Sequence, residues 1–301
     1  MEQNSTTSEN SLTSGGEKAM RLAKPNGPRP CSLDLEDEIF DLCSFESFRR
    51  FTFDMIDRGD LVSSRGFIGT AQELNFDGTN HEFAEWMLQY PIKFWEYCRI
   101  LDGLPYQPGH QILDIGGGAS PVSFFLASQG CQVVVLDCEV VSRGRSIVQN
   151  SNAIASRYGW PLRAEQGTAI SLPYSGASFD HVISVSVLEH VGNSSHQIRA
   201  MREASRVLRP GGMFALTFDY GRMRGVKGHY VIQDSRSIWR LIGGAQFEVV
   251  GNADFEDVNY HSPDVIAWEQ THKKFNIRQF RWNRWYTAFS LFLRKPVSQS
   301  P

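Results

Sequence analysis

The chain has 301 residues, 41% of them hydrophobic and 21% charged, which suits one large domain, or a domain with an appendage, able to bury a full core. A formal net charge of −3 argues against nucleic acid or an anionic membrane as a partner, and no apolar run approaches the ~18–20 residues that cross a bilayer. The five cysteines are odd in number and include no CxxC pair, so neither a disulfide framework nor a structural zinc site is expected.

Met1 to about Pro30 is polar and carries three prolines near its end. That composition predicts a disordered tail over residues 1–32. The tail lacks the apolar stretch of a secretory signal, so a cytoplasmic location is the default expectation. Apolar and aromatic residues then recur at helical intervals, first in Ile39, Leu42, Phe45, Phe48, Phe51 and Met55, later in Phe83, Trp86, Met87, Tyr90, Phe94 and Tyr97. Two or more helices, separated by a loop around Ser63 to Asn80, are expected to form a helical cap over residues 33–105, ahead of a domain over 106–301.

From Gln111 the pattern alternates between strand and helix. Strands are expected at Gln111–Ile115, Gln132–Leu136, His181–Val187, Met213–Phe218, Phe247–Val250 and Tyr286–Arg294. Helices are expected at Pro121–Gln129, Ser142–Tyr158, Ser195–Leu208 and Ser235–Ile242. This alternation predicts an α/β fold, with helices on both faces of a parallel sheet.

The segment Ile112-Leu113-Asp114-Ile115-Gly116-Gly117-Gly118-Ala119-Ser120-Pro121 reads as a buried strand, a tight turn and a helix start. Ser120 suits the N-cap and Pro121 the first helical position. Glycine lets a ligand approach the backbone closely. A dinucleotide fingerprint would require a third glycine where Pro121 stands. Asp114, just before the turn, suits a cationic ligand better than a pyrophosphate, which favours the ammonium and sulfonium of S-adenosylmethionine over NAD. The next strand ends at Asp137, 23 residues after Asp114, where an acid can accept both ribose hydroxyls.

Further pieces follow in order: Leu172-Pro173-Tyr174-Ser175 with Ser178-Phe179-Asp180, then Ser186-Val187-Leu188-Glu189-His190-Val191, then Leu208-Arg209-Pro210-Gly211-Gly212. Together with the glycine loop and Leu136-Asp137, this set resembles the class I S-adenosylmethionine-dependent methyltransferases, especially the small-molecule branch called type 11. The resemblance covers roughly Gln111 to Phe218. It implies a Rossmann-like, mostly parallel seven-stranded sheet. It implies that Asp114, Gly116 and Gly118 hold the methionine end of the donor, that Asp137 binds the ribose and that Cys138 lies against the adenine. Family members carry an Asp near the adenine amino group where this chain has Thr168, followed by Ala169. Ser184 would line the methionine tail. Leu208–Gly212 is implied to be a structural turn.

Methyl transfer needs a base only if the acceptor must lose a proton. The candidates are His190, His229 and His261, with Asp219 also at a strand end; each also reads as an ordinary packing or loop residue. A basic and aromatic run, Lys273 to Trp285, could suit a phosphate-bearing, nucleic-acid or membrane-surface partner, but packing aromatics with solvated charges explain it better. The expected partner is a small-molecule or sugar acceptor, in a pocket built by Phe83–Tyr97 and Phe275–Trp285. The rival readings are a nucleic-acid methyltransferase, a non-catalytic protein of the same fold and, last, an NAD-dependent oxidoreductase.

Overall fold

The computed structural model describes residues 27–28, 45–58, 91–118, 120–138, 141–142, 145–220, 232, 234–251, 279–281 and 284–297. In chain order the elements are β1 (Gly27–Pro28), α1 (Phe45–Asp57), α2 (Pro91–Gly103), β2 (Gln111–Ile115), α3 (Pro121–Ser128), β3 (Gln132–Asp137), β4 (Val141–Ser142), β5 (Arg145–Ser146), α4 (Ile147–Tyr158), β6 (Leu162–Gln166), β7 (Phe179–Val185), α5 (Ser194–Val207), β8 (Leu208–Tyr220), α6 (Ser235–Gly244), β9 (Glu248–Val249), β10 (Gln279–Arg281) and β11 (Arg284–Arg294).

β2 and β3 are buried along nearly their whole length, as strands covered on both faces must be. The sheet runs β6-β3-β2-β7-β8-β11. The first five of these strands pair in parallel. β11 is antiparallel to β8, and β9 is antiparallel to the far side of β11. These seven strands form the expected mostly parallel sheet. Two short pieces add to it. β10 pairs antiparallel with β11, and Gly27–Pro28, inside the stretch expected as a tail, pairs with Ser290 and Phe289.

Alternate side chains of each strand enter two separate cores. Ile112, Val133, Val135 and Ala215 pack with Phe48 of α1, Trp95 of α2, Val122 of α3 and Ile154 of α4. Leu113, Val134, Leu136 and Leu216 pack with Met201 of α5 and Ile238 of α6. Each Val, Leu, Ile, Phe or Met side chain among these, when fully buried, contributes about 1.5–3 kcal/mol. The helices begin where side chains cap them. Ser120 accepts from the Val122 amide, Asn193 from those of Ser195 and His196, and Asp234 from that of Ser237.

Several element ends differ from expectation by a few residues, and three differences are larger. α4 starts at Ile147 rather than Ser142, because Ser146 caps it and Val141 and Ser142 pair with Ser146 and Arg145 as β4 and β5. The supposed turn Leu208–Gly212 is the opening of β8, with a register shift opposite Phe179–His181. β6 has no counterpart in the expected strands; among the described residues it is an edge strand with β3 alone beside it, so it lacks an apolar run.

The N-terminal helices are part of the core. α2 is buried almost all round, through Trp95, Glu96, Cys98, Arg99, Ile100 and Leu101. Arg99 lies over the Phe292 ring and donates to Ser290 Oγ at 3.4 Å. Gly103 packs so closely on Phe292 that a Cβ there would collide with the ring.

At the amino edge of the sheet, His181 of β7 is 6% exposed and its Nε2 lies 3.1 Å from His110 Nδ1. Burial, and next the charge of His110, push its pKa down to about 4. The unfolded chain therefore binds the extra proton between about pH 4 and 6.5, so stability rises with pH across that window. His181→Gln should remove up to about 3 kcal/mol of that dependence. Urea midpoints of both chains from pH 4 to 7 test this, and parallel curves would refute it.

Candidate functional site

The carboxyl ends of β2, β3, β6 and β7 are stitched into one edge. The Gly116 amide donates to the Leu136 carbonyl at 2.6 Å, and the Gly167 amide donates to the Asp137 carbonyl at 2.9 Å. Ser184 Oγ donates to the Ile115 carbonyl at 3.1 Å. In open α/β sheets this edge, beyond the strand ends, is where ligands bind.

The glycine loop leaves β2 through two left-handed residues, Gly116 at φ +73 and Gly118 at φ +55, conformations that side chains other than glycine rarely adopt. A Cβ on Gly116 would stand 2.5 Å from Val187 Cγ2. The room over Gly116 is therefore filled by Val187, not kept open for a ligand as the sequence reading had it. Ser151 of α4 donates to the Gly118 carbonyl at 3.3 Å and ties the loop down.

Asp114 lies beneath this loop, 1% exposed. Ser123 Oγ of α3 donates to its Oδ2 at 2.6 Å, while Oδ1 has no hydrogen bond. Burial raises its pKa to about 7, and the neighbouring Asp137 adds to the rise. The Gly117 backbone covers the carboxylate. A cation above the loop would thus feel it across one backbone layer, in a medium where charges interact strongly.

Asp137 is half-buried and Cys138 exposed at the end of β3. The Gly167–Asp137 bond brings exposed Thr168 and half-buried Ala169 alongside them. Asp114, Gly116, Gly118, Asp137, Cys138, Thr168 and Ala169 thus share one edge. Ser184 differs: it is buried, and its hydroxyl serves the Ile115 carbonyl. His190 is exposed at the end of the turn Leu188–His190. His229 and His261 lie outside the described residues, as do Trp86 and Trp282.

Two of the sequence motifs are struts. Arg206 of α5 donates to the carbonyls of Tyr174 at 2.7 Å and Leu172 at 3.0 Å, while Glu203 accepts from the Leu172 amide at 2.8 Å. Asp180 accepts from the Gln111 amide at 2.8 Å and pairs with Arg209. Sequence reasoning missed Ser123, Ser151, Glu96 and Ser186 as partners at this edge. Glu96 carried a usable signal: a carboxylate set directly between the two aromatics Trp95 and Tyr97.

Residues 113–216 match the family described as methyltransferase domain. Those residues are the part of the chain that carries the methyltransferase likeness. An uncharacterized methyltransferase of Synechocystis sp. is 29% identical over 152 residues, which are 44% of this chain and 66% of that protein. The 27-O-demethylrifamycin SV methyltransferase of Amycolatopsis mediterranei is 34% identical over 120 residues, 39% of this chain and 42% of that one. The chain thus spans less than two thirds of the length of either relative. In fold, the chain is similar to geranyl diphosphate C-methyltransferase from Streptomyces coelicolor, whose structure holds S-adenosyl-L-homocysteine. That likeness has a TM-score of 0.52 at 12% identity and covers 72% of this chain and 81% of that chain.

The methyl donor of this family is S-adenosylmethionine. The carboxyl edge of this sheet fits it chemically. Asp114, with an unbonded buried oxygen, offers negative charge to an ammonium or sulfonium. The half-buried carboxylate of Asp137 suits ribose hydroxyls. Among the described residues no group of His, Cys, Asp and Glu is arranged to hold a metal ion, and no helix is long and apolar enough to cross a membrane.

Proposed function

We propose that the chain transfers a methyl group from S-adenosylmethionine to a small-molecule or sugar acceptor at O, N or C. The observation that carries this is the Gly116–Leu136 hydrogen bond, which seats the glycine loop beside Asp137 in the segment that matches the family. The sulfonium supplies an already activated methyl group, so holding both partners in line supplies much of the acceleration. Asp137 would take the ribose hydroxyls, Cys138, Thr168 and Ala169 the adenine, and Asp114 with the glycine loop the methionine end. Of the three histidine candidates, His190 is the one among the described residues, and it would act as a base if the acceptor must lose a proton. His229, His261 and the aromatic segments around Trp86 and Trp282 remain proposals for the acceptor pocket.

S-Adenosylhomocysteine at about a hundredfold excess over its Kd should stabilise the chain by about 2.7 kcal/mol, seen as a raised melting temperature. NAD should do nothing. Asp137→Ala should weaken donor binding roughly tenfold or more, because a hydrogen bond to a charged group contributes about 1.5–3 kcal/mol. Incubation of the protein with labelled donor and a cell extract should label a small molecule. A melting shift with NAD alone would refute the reading.

A further inference from the structure

Glu96 stands where the burial of α2 favours an apolar side chain. It is 1% exposed, and a carboxylate taken out of water is costly unless it is partnered. Its Oε1 accepts a 2.6 Å hydrogen bond from Ser186 Oγ. Ser186 directly follows β7 and sits at φ +52, in the left-handed region that a serine rarely occupies. Such a conformation persists only where its surroundings hold it, and it concentrates at functional sites. Here the hold is double. While Glu96 takes the hydroxyl, the Ser186 amide donates to the Thr217 carbonyl at 3.0 Å and lies 3.3 Å from Thr217 Oγ1.

The next residue is Val187. Its Cγ2 and Cγ1 lie 2.5 and 2.7 Å from where a Gly116 Cβ would be, so the Val187 side chain presses on the glycine loop. Gly116 in turn donates to Leu136, the residue before Asp137. Contacts therefore run without a break from the N-terminal helix, through the turn after β7, to the loop beneath the donor site.

We propose that Glu96 is a positioning residue for the methyl donor: through Ser186 it holds Val187 against Gly116 and so sets the glycine loop. This rests on the donor-binding reading above. It makes α2 a working part of the donor site, which the expectation of a separate cap did not.

The test is calorimetric titration of the full chain with S-adenosylhomocysteine, beside a melting curve for each variant. Ser186→Gly loses the hydroxyl but adopts φ +52 without strain. It should keep or raise the melting temperature yet bind about tenfold more weakly. Glu96→Ala should show the same loss of affinity. Glu96→Gln still offers an oxygen to Ser186 and should stay within about twofold of the original chain. If Glu96→Ala does not fold, the other two variants decide. Unchanged affinity in Ser186→Gly overturns the proposal, as does an affinity loss that only follows a lower melting temperature. An equal loss in Glu96→Gln and Glu96→Ala overturns it too. If the unaltered chain does not bind S-adenosylhomocysteine at all, the donor-binding reading falls with it.

Discussion

Gly116→Val should lower folding stability by more than about 3 kcal/mol and remove donor binding with it. Two costs add. The backbone at φ +73 is poorly suited to any side chain, and least to a β-branched one. The new Cβ would also stand 2.5 Å from Val187 Cγ2, so the turn after β7 must move. The glycine is thus required first by the protein's own packing. Folding and binding should therefore fail together, not binding alone. Gly116→Ala with Val187→Ala removes the collision but keeps the backbone cost. That double variant should recover part of the stability. Denaturant midpoints measure both effects, and a midpoint for Gly116→Val equal to that of the unaltered chain would show that Val187 is free to yield.

Asp114 should make donor binding depend on pH. Its pKa in the folded chain is raised to about 7 from 3.8, first by burial. A raised carboxyl contributes stability in full below about pH 3.8 and loses it as pH rises through about 7, because the folded state holds the extra proton. Without donor, the charged carboxylate then costs about 4 kcal/mol at pH 8. A cationic donor above the loop favours the charged form, so binding should release a proton, and affinity should rise from pH 5.5 to about 7 and then level off. Asp114→Asn should be more stable than the unaltered chain at pH 8, with the gap closing near pH 4. It should bind S-adenosylhomocysteine at least about tenfold more weakly at pH 8, with little pH dependence. Equal affinity of the two chains at pH 8 would sink the assignment of Asp114 to the donor.

Much of this edge was legible because its signals are local. Gly116 and Gly118, Ser120 and Pro121, and the strand-end Asp137 each announce a turn, a cap or a strand terminus through their own backbone chemistry, and the structure has those features. β6 was not legible, because an edge strand with one neighbour alternates and carries Arg163, Glu165 and Gln166 without penalty. For Ser184, expected to line the methionine tail, the sequence left the partner of its hydroxyl open for a different reason. A hydroxyl at a strand end suits a ligand or a neighbouring carbonyl equally, and only the distance to Ile115 decides between them.

By itself the sequence determined the order of strands and helices over most of the domain, the glycine turn, and the two acids that follow β2's core and end β3. These depend on periodicity and on the residues next to one another in the chain. Only the tertiary structure decided what those residues touch. It placed Val187 over Gly116, buried Asp114 beneath Gly117, turned Asp180 and Arg206 into struts, and carried Glu96 from α2 to Ser186, 90 positions away. Such contacts are set by how the helices pack across the sheet, and no spacing along the chain records them.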